Sequence, residues 1–490
     1  MKKTENVSHV DVTESISIRT FNFTDIAENS NKFYVCEICK DKSGEYWLHT
    51  QYGRTGGTIN TDYRKCSSLS DAEKEAEKII KSKIKKGYVE VKLAKADVGS
   101  EKAQEKVAIE ILDENKAKKL GFEIKEETKS NLSPKIEYLM KSWFGSLQNF
   151  VTANLDTKKC SLGQLSIDQI NKGRDILLEA RKIVTLKKPD IQELNSLTNK
   201  FYSNIPMNFG YTRLNPDVLR LDDNDKLDKQ FDLLETLEGA KDAEKVLYKK
   251  NAYDEQYKSL NTEIEWLEPG SGIYKWIETL LIKTIASNHH YLKKIRPVNV
   301  YKLSRPKEEK IFMDSINEFV KDKIHKRKEL PDPYKPLWEK RFKYDLDYEG
   351  LMEAANILPL WHGTRTENMS KITGSKLLMR KPGFSVSGSM YDKVGGLYFA
   401  SNSTKSAGYT SYSGSIWSGG TAKTAYLFLS DVILGKQEIA TYSYPYTKQG
   451  IAPAASVWAK AKSGVLYNDE FIVYTEQQNW LRYVVEFEGG

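Results

Sequence analysis

Cysteine is scarce. Four in 490 residues, Cys36, Cys39, Cys66 and Cys160, are too few to staple a chain of this length. Free thiols in a reducing compartment are the expectation. Cys36 and Cys39 do form a CxxC, but FYVCEICK around them has the β-branched, aromatic alternation of a strand, in which residues three apart face opposite sides. A zinc ion would need a second ligand pair, and only the distant Cys66 and His49 could supply it, so no metal is expected. Long apolar runs are absent as well. No stretch of about 20 apolar residues occurs, and the start of the chain lacks the charged, apolar and small-residue succession of an export signal. A soluble, intracellular protein without a membrane partner is expected. No Gly-x-Gly-x-x-Gly follows a strand-like run, which removes the case for a Rossmann dinucleotide fold. Acid is in slight deficit: 75 Lys and Arg against 67 Asp and Glu leave +8, which permits nucleic-acid contact without requiring it. The basic clusters KSKIKKG (81–87) and HKRK (325–328) read first as solvated helix faces or loops.

What is present divides into blocks, and the length alone argues for about three domains. After a tail at 1–14, residues 15–98 carry short alternating runs, SISIRTFNF, KFYVCEICKD, EYWLHTQYG and GTINTDYRKC, broken by polar or glycine-containing turns. SDAEKEAEKIIKSKIKKG then reads as a helix capped by Ser70 or Asp71, with early acids, late lysines and Gly87 at its end. Residues 99–130 are charged and poor in aromatics, as in a linker. From Ser133 and Pro134 the period becomes helical, with Ile136, Leu139, Met140, Trp143, Leu147 and Phe150 at spacings of three and four. Similar runs predict an all-helical domain over 131–258 with five to seven helices. Over 259–490 the runs PVNVYKLSR, LPLWHGT, GGLYFAS, TAYLFLSDVILG, DEFIVYTE and LRYVVEFE predict a mixed α/β domain with antiparallel sheet. The predicted fold class is multidomain α+β.

Four strings in this last block stand in order: LWHGTR (360–365), GGLYFA (395–400), KSAGY (405–409) and YNDEFIVY (467–474). Together they resemble the catalytic domain of poly(ADP-ribose) polymerases. Upstream, CSLGQLSIDQI with NKFYSNIPMNFG is similar to the helical regulatory domain of the DNA-dependent members, and YWLHTQYGRTGG resembles their WGR domain. The resemblance runs from about residue 15 to the end, with 99–130 excepted. It implies an ADP-ribosyltransferase that takes NAD+ as substrate, needs no metal, is activated by DNA strand breaks or ends, and modifies proteins including itself. In such members the helical domain blocks NAD+ until DNA binding loosens it, so removing 131–258 is expected to raise basal activity.

The residue types have physical reasons of their own. Cleavage of the nicotinamide–ribose bond passes through an oxocarbenium-like state that a carboxylate beside the ribose stabilises. Glu470 is the candidate, with Asp469 as its competitor; in a strand the two face opposite ways, and alignment on FIVY selects Glu470. His362 is suited to ribose hydroxyls, and Gly363 lets the backbone approach a ligand closely. By resemblance, Thr364 also lines the NAD+ site, Ser406 bonds the nicotinamide carboxamide, and Tyr409 and Tyr398 stack on the ring from either side. Ser406 and Tyr409 are three apart, which on a helix is one face. At the WGR signature this chain reads Tyr52, Gly53, Arg54, candidates for nucleic-acid contact with a tyrosine where the family has tryptophan. SGSMYDKVGG departs from the family spacing and leaves Arg380 of the adenosine-side loop without a secure partner in the pattern. Two other readings fit the sequence: a DNA-binding scaffold without turnover, and a mono-ADP-ribosyltransferase acting on nucleic-acid ends. A nuclear location is expected in a eukaryote, and the cytoplasm beside the nucleoid for a bacterial or viral source.

Overall fold

Alternation between Val12 and Cys66 is the pattern of strands with one face buried, and these residues form an antiparallel sheet. The computed structural model describes residues 6–7, 9–55, 58–91, 130–155, 165–209, 213–247, 252–292, 294–320, 331, 334, 355–379, 396–440, 456–462 and 466–489. The chain groups into two units, 1–129 with 148–251 and 130–147 with 252–490.

In the first unit, β1 (Asn6–Val7), β2 (Val12–Asp25), β3 (Ser30–Asp41), β4 (Tyr46–Arg54), β5 (Ile59–Cys66) and β6 (Val89–Val91) make a six-stranded sheet ordered β1-β5-β4-β3-β2-β6. It reaches into the segment read as a tail, because Asn6 and Val7 pair with Arg64 and Tyr63. Helix α1 (Leu69–Lys85) lays Ala72, Ala76 and Ile80 on Phe21, Tyr34, Cys36, Ile38 and Leu48. Its cap is Ser68, two residues ahead of the expected position, since β5 ends at Cys66; Asp71 N–H donates to the Ser68 hydroxyl. Burial pushes the Cys36 thiol up to about 11 and the Cys39 thiol up to about 12. His49 is occupied by Glu37 at 2.8 Å and Thr61 at 2.9 Å, and among the described residues no group of three His, Cys, Asp or Glu is placed to hold a metal. The expected linker at 99–130 lies outside the described residues apart from Ser130, as do HKRK and Cys160.

The helical pattern gives α2 (Pro134–Asn154), α3 (Ile167–Val184), α4 (Ile191–Asn204), α5 (Pro216–Leu219), α6 (Asn224–Asp242), α7 (Glu244–Leu247) and α8 (Tyr253–Ser259). Ser166 and Gln169 form a capping box at α3. Arg174 of α3 is ion-paired with Glu238 of α6 at 2.9 Å, and Gly173 lets Leu234 and Ile205 close on the helix. Helix α4 also packs on β2: Thr24 N–H donates to Ser203 Oγ at 2.8 Å and Ile26 N–H to Asn199 Oδ1 at 3.0 Å.

Within the helical block, residues 130–147 and α8 group with the second unit. The reason is visible at Glu486, which is fully buried. It accepts from Tyr138 of α2 at 2.7 Å and from Asn299 at 2.6 Å, while Lys135 of α2 donates to Asn299 at 2.9 Å. A buried carboxylate needs such donors, and here α2 supplies one of them. Burial and the neighbouring Glu486 push the Tyr138 hydroxyl up to about 12.

The second unit holds β7 (Glu263–Trp266), α9 (Gly272–Lys283), β8 (Arg296–Ser304), α10 (Pro306–Val320), β9 (Ile357–Gly363), α11 (Met369–Gly374), β10 (Leu397–Phe399), α12 (Ser403–Ala407), β11 (Thr424–Ile433), β12 (Gln437–Ala440), β13 (Ser456–Ala459), β14 (Glu470–Val473) and β15 (Asn479–Glu488). They form an antiparallel sheet ordered β7-β8-β15-β11-β9 and a smaller sheet ordered β10-β14-β13-β12, in which only the β12–β13 pair is parallel. Trp361 and Ala400 exchange two backbone hydrogen bonds of 2.9 Å, tying β9 to the residue after β10. That bridge brings three of the four motif strings together.

Candidate active site

The run ILPLWHG buries Trp361 in the core, where its indole N–H donates to Thr284 Oγ1 at 3.2 Å. The next residue turns the other way. His362 Nδ1 lies 2.9 Å from the Tyr398 carbonyl, which can only accept, so Nδ1 donates, and in the neutral ring Nε2 is an acceptor. Gly363 was expected to admit a ligand to the backbone. The structure gives it a packing reason: a Cβ here would overlap the Ser406 carbonyl, so β9 lies on α12 only without a side chain. Thr364 accepts from Asn368 Nδ2 at 3.3 Å.

Helix α12 is one and a half turns long and buried throughout. The Ser406 hydroxyl donates to the Trp361 carbonyl at 2.9 Å and keeps its lone pairs for an amide donor. The expectation that Ser406 and Tyr409 share a helix face needs correction. Helix α12 ends at Ala407 with Gly408 as its cap, and Tyr409 lies beyond it in a turn closed by Tyr409 N–H to Ser406 O at 3.1 Å. Tyr409 is stacked on Trp417, ring centroids 4.8 Å apart at 19°.

Register sorts the two carboxylates. Tyr398 pairs with Ile472, and Glu470 pairs with Ala459, so Tyr398, Ile472, Glu470 and Ala459 share one face of the smaller sheet. Phe471 and Trp458 lie on the other face, in the core. Asp469 belongs with them: it accepts from Trp458 Nε1 at 2.9 Å, Ala461 N–H at 2.8 Å and Ser401 Oγ at 3.4 Å. Glu470 is ion-paired with buried Lys405, Nζ to Oε1 2.7 Å.

Sequence reasoning passed over Lys405, although it opens the KSAGY string. It also passed over His289, whose Nε2 accepts from Asn468 Nδ2 at 3.0 Å and whose ring meets Trp417 edge-on at 6.3 Å. Burial, and then the Lys405 charge, hold His289 below its ordinary range. Only the position of YNDEF beside the predicted acid could have pointed to it. Arg380 and nearly all of SGSMYDKVGG lie outside the described residues.

In the first unit, Tyr52, Gly53 and Arg54 are engaged within the fold. Tyr52 stacks on Tyr34 at 5.8 Å and donates to Asp62 at 3.1 Å. A Cβ at Gly53 would strike the Thr58 carbonyl. The Arg54 guanidinium donates to the Asn29 carbonyl at 2.7 Å and side chain at 3.2 Å; Asn29 stands at φ +50°, a left-handed turn that asparagine tolerates.

His362 at the end of β9 is bonded to the Tyr398 carbonyl, and Glu470 stands on the Tyr398 face of the smaller sheet; the class of protein is an ADP-ribosyltransferase that consumes NAD+. Family comparisons agree with that geometry. Residues 271–489 match the poly(ADP-ribose) polymerase catalytic domain, 130–263 the poly(ADP-ribose) polymerase regulatory domain, and 18–95 the WGR domain. Among curated relatives, the protein mono-ADP-ribosyltransferase PARP3 of Mus musculus is 26% identical over 95% of this chain and 87% of its own. Poly [ADP-ribose] polymerase 2-A of Oryza sativa subsp. japonica is 25% identical over 95% of this chain and 69% of its own. Poly [ADP-ribose] polymerase 1 of Gallus gallus is 25% identical over 80% of this chain and 35% of its own. The chain belongs to the poly(ADP-ribose) polymerase family.

Proposed function

We propose that this chain is a DNA-activated poly(ADP-ribose) polymerase that modifies proteins, itself included, and releases nicotinamide. The glycosidic bond from ribose to the nicotinamide nitrogen breaks with its electron pair leaving on nicotinamide. An acceptor nucleophile then bonds to the anomeric carbon and gives up its proton. Glu470 stabilises the cationic sugar and accepts a hydrogen bond from the ribose or from the attacking hydroxyl, and His362 Nε2 accepts from a ribose hydroxyl. Tyr398 and Tyr409 hold the nicotinamide ring, with Ser406 at its carboxamide and Gly363 and Thr364 along the rim. The observation that carries the reading is the carboxylate of Glu470 on the Tyr398 face, ion-paired with Lys405. Asp469 is engaged on the other side of the strand and is left out of the chemistry.

DNA ends engage the WGR-like sheet in this proposal, and the helical region restrains NAD+ access until they do. In a eukaryotic cell the enzyme works in the nucleus, and in a bacterial or viral setting beside the nucleoid. Addition of a single ADP-ribose is the second reading, favoured by the similarity to the mouse protein mono-ADP-ribosyltransferase.

The test is incorporation of labelled NAD+ into acid-insoluble product, with and without broken double-stranded DNA, for the wild type and Glu470→Gln. Long chains that need DNA and vanish in the variant are expected. Short, protease-sensitive product would select single addition, nuclease-sensitive product would move the acceptor to nucleic acid, and no incorporation at all would favour a scaffold.

A further inference from the structure

We propose that Trp417 is a positioning residue for nicotinamide recognition, backing Tyr409 so that bound nicotinamide lies in a column of Tyr398, ligand, Tyr409 and Trp417. The inference rests on the reading of Tyr409 as the ring's stacking partner and adds a residue outside the four motif strings.

Trp417 belongs to the Gly/Ser/Thr-rich segment TSYSGSIWSGGTAKT, whose composition suggests a pliable loop. Its structure is instead heavily bonded. Ser415 Oγ donates to Ala407 O at 2.8 Å, Trp417 N–H donates to Gly408 O at 3.1 Å, and Ser418 Oγ donates to Thr410 O. Ala422 N–H donates to Ser411 O at 2.8 Å and Ser413 N–H to Ala422 O at 2.9 Å, which closes the base. These bonds set the indole against the end of α12.

Gly408 completes the fit. A Cβ there would overlap Cε3 and Cζ3 of Trp417, so the indole closes on this residue only because it has no side chain. The variable position of the K-S-A-x-Y pattern is thus tied to a tryptophan nine residues downstream. The indole faces Tyr409 at 19° and 4.8 Å, a stacked geometry, and Lys405 Nζ lies 5.3 Å from its centroid on the way to Glu470. With Trp417 in place Tyr409 is still 42% exposed, so ring surface remains reachable for a planar ligand. Tyrosine turns about two side-chain torsions, and a stacked neighbour on one face removes that freedom before the ligand arrives. Preorganisation of this kind lowers the cost of binding and leaves bond breaking to Glu470.

The experiment measures KM for NAD+, kcat, and competitive inhibition by nicotinamide in the full chain with broken DNA present. Its variants are Trp417→Ala, Trp417→Leu, Trp417→Phe and Tyr409→Ala, each checked by thermal melting. Trp417→Ala is expected to raise KM and the nicotinamide inhibition constant about three- to tenfold, the range of one aromatic stack. Its kcat should stay within about twofold, and Trp417→Phe should recover most of the loss. Trp417→Leu keeps apolar bulk without a planar face and should resemble Trp417→Ala, which keeps the test alive if the alanine variant does not fold. Unchanged constants in Trp417→Ala and Trp417→Leu, with Tyr409→Ala impaired, overturn the proposal and spare the reading of Tyr409. Tighter nicotinamide binding without the indole also overturns it, since Trp417 would then occupy the ligand's own place. If Tyr409→Ala itself leaves inhibition unchanged, the underlying reading fails and the proposal with it.

Discussion

Lys405 Nζ lies 2.7 Å from Glu470 Oε1, and both side chains are buried, Lys405 from the first turn of α12 and Glu470 from the first residue of β14. The lysine neutralises a carboxylate that would otherwise be costly to bury.

This pair predicts a thermodynamic cycle. Glu470→Gln should lower kcat by about 100-fold or more, on the scale of losing one preorganised electrostatic group. Lys405→Met should destabilise the fold by about 3 kcal/mol, because it strands a buried charge. The double variant should regain most of that stability and none of the activity. Melting curves and initial rates on the four proteins check it; additive stability losses would show that the two groups do not interact.

A second prediction concerns Gly363→Ala. The added methyl meets the Ser406 carbonyl, so β9 and α12 must part, at a cost of about 1–3 kcal/mol. Since Ser406 moves with the helix, KM for NAD+ should rise in the same variant. A melting temperature and KM equal to the wild type would contradict the packing described.

Glu486 supplies a third. Tyr138→Phe removes one of its donors and should cost about 1–3 kcal/mol, measured by denaturant unfolding. Removing 131–258 takes Tyr138 and Lys135 away from the catalytic sheet, whereas removing 148–251 keeps them. Both deletions should raise activity without DNA, and the shorter one should melt higher. The reverse order of melting would mean that α2 is dispensable to the second unit.

His289 supplies a fourth. Its folded pKa lies below its ordinary value of 6.5, chiefly through burial and then through Lys405. The unfolded chain therefore takes up the proton first as pH falls, and unfolding gains from it. Stability should be full above about pH 6.5 and decline below it. His289→Gln should flatten that decline in melting temperature; an identical acid limb would place the titration elsewhere.

Much of this was legible because the chemistry sits in short strings with fixed neighbours. WHG, LYF and DEFIV each announce a strand, parity within DEFIV sets Glu470 and Asp469 on opposite faces, and the resemblance at FIVY chose Glu470. The three blocks were legible from a change of period, 2 to 3.6 and back. Long-range partnership was not. Nothing local in PVNVYKLSR or LRYVVEFE says that Glu486 will accept from both Asn299 and Tyr138. Tyr409 was placed on a helix because a spacing of three cannot reveal that Gly408 ends it. Lys405 and Trp417 were hidden for a related reason: a lysine reads as surface, and a Gly/Ser loop reads as slack, until their partners are known.

The turn at Asn29 has a consequence for recombination. Its side chain accepts from Arg54 of the sheet and also from Leu214 N–H, beyond α4, at 2.9 Å, while Ser203 and Asn199 hold β2. A chimera that exchanges the sheet without the helices parts Leu214 N–H from the Asn29 side chain and β2 from Ser203. Sheet and helices are therefore inherited best as a single cassette, and the natural place to cut and join is outside the pair, not between its halves.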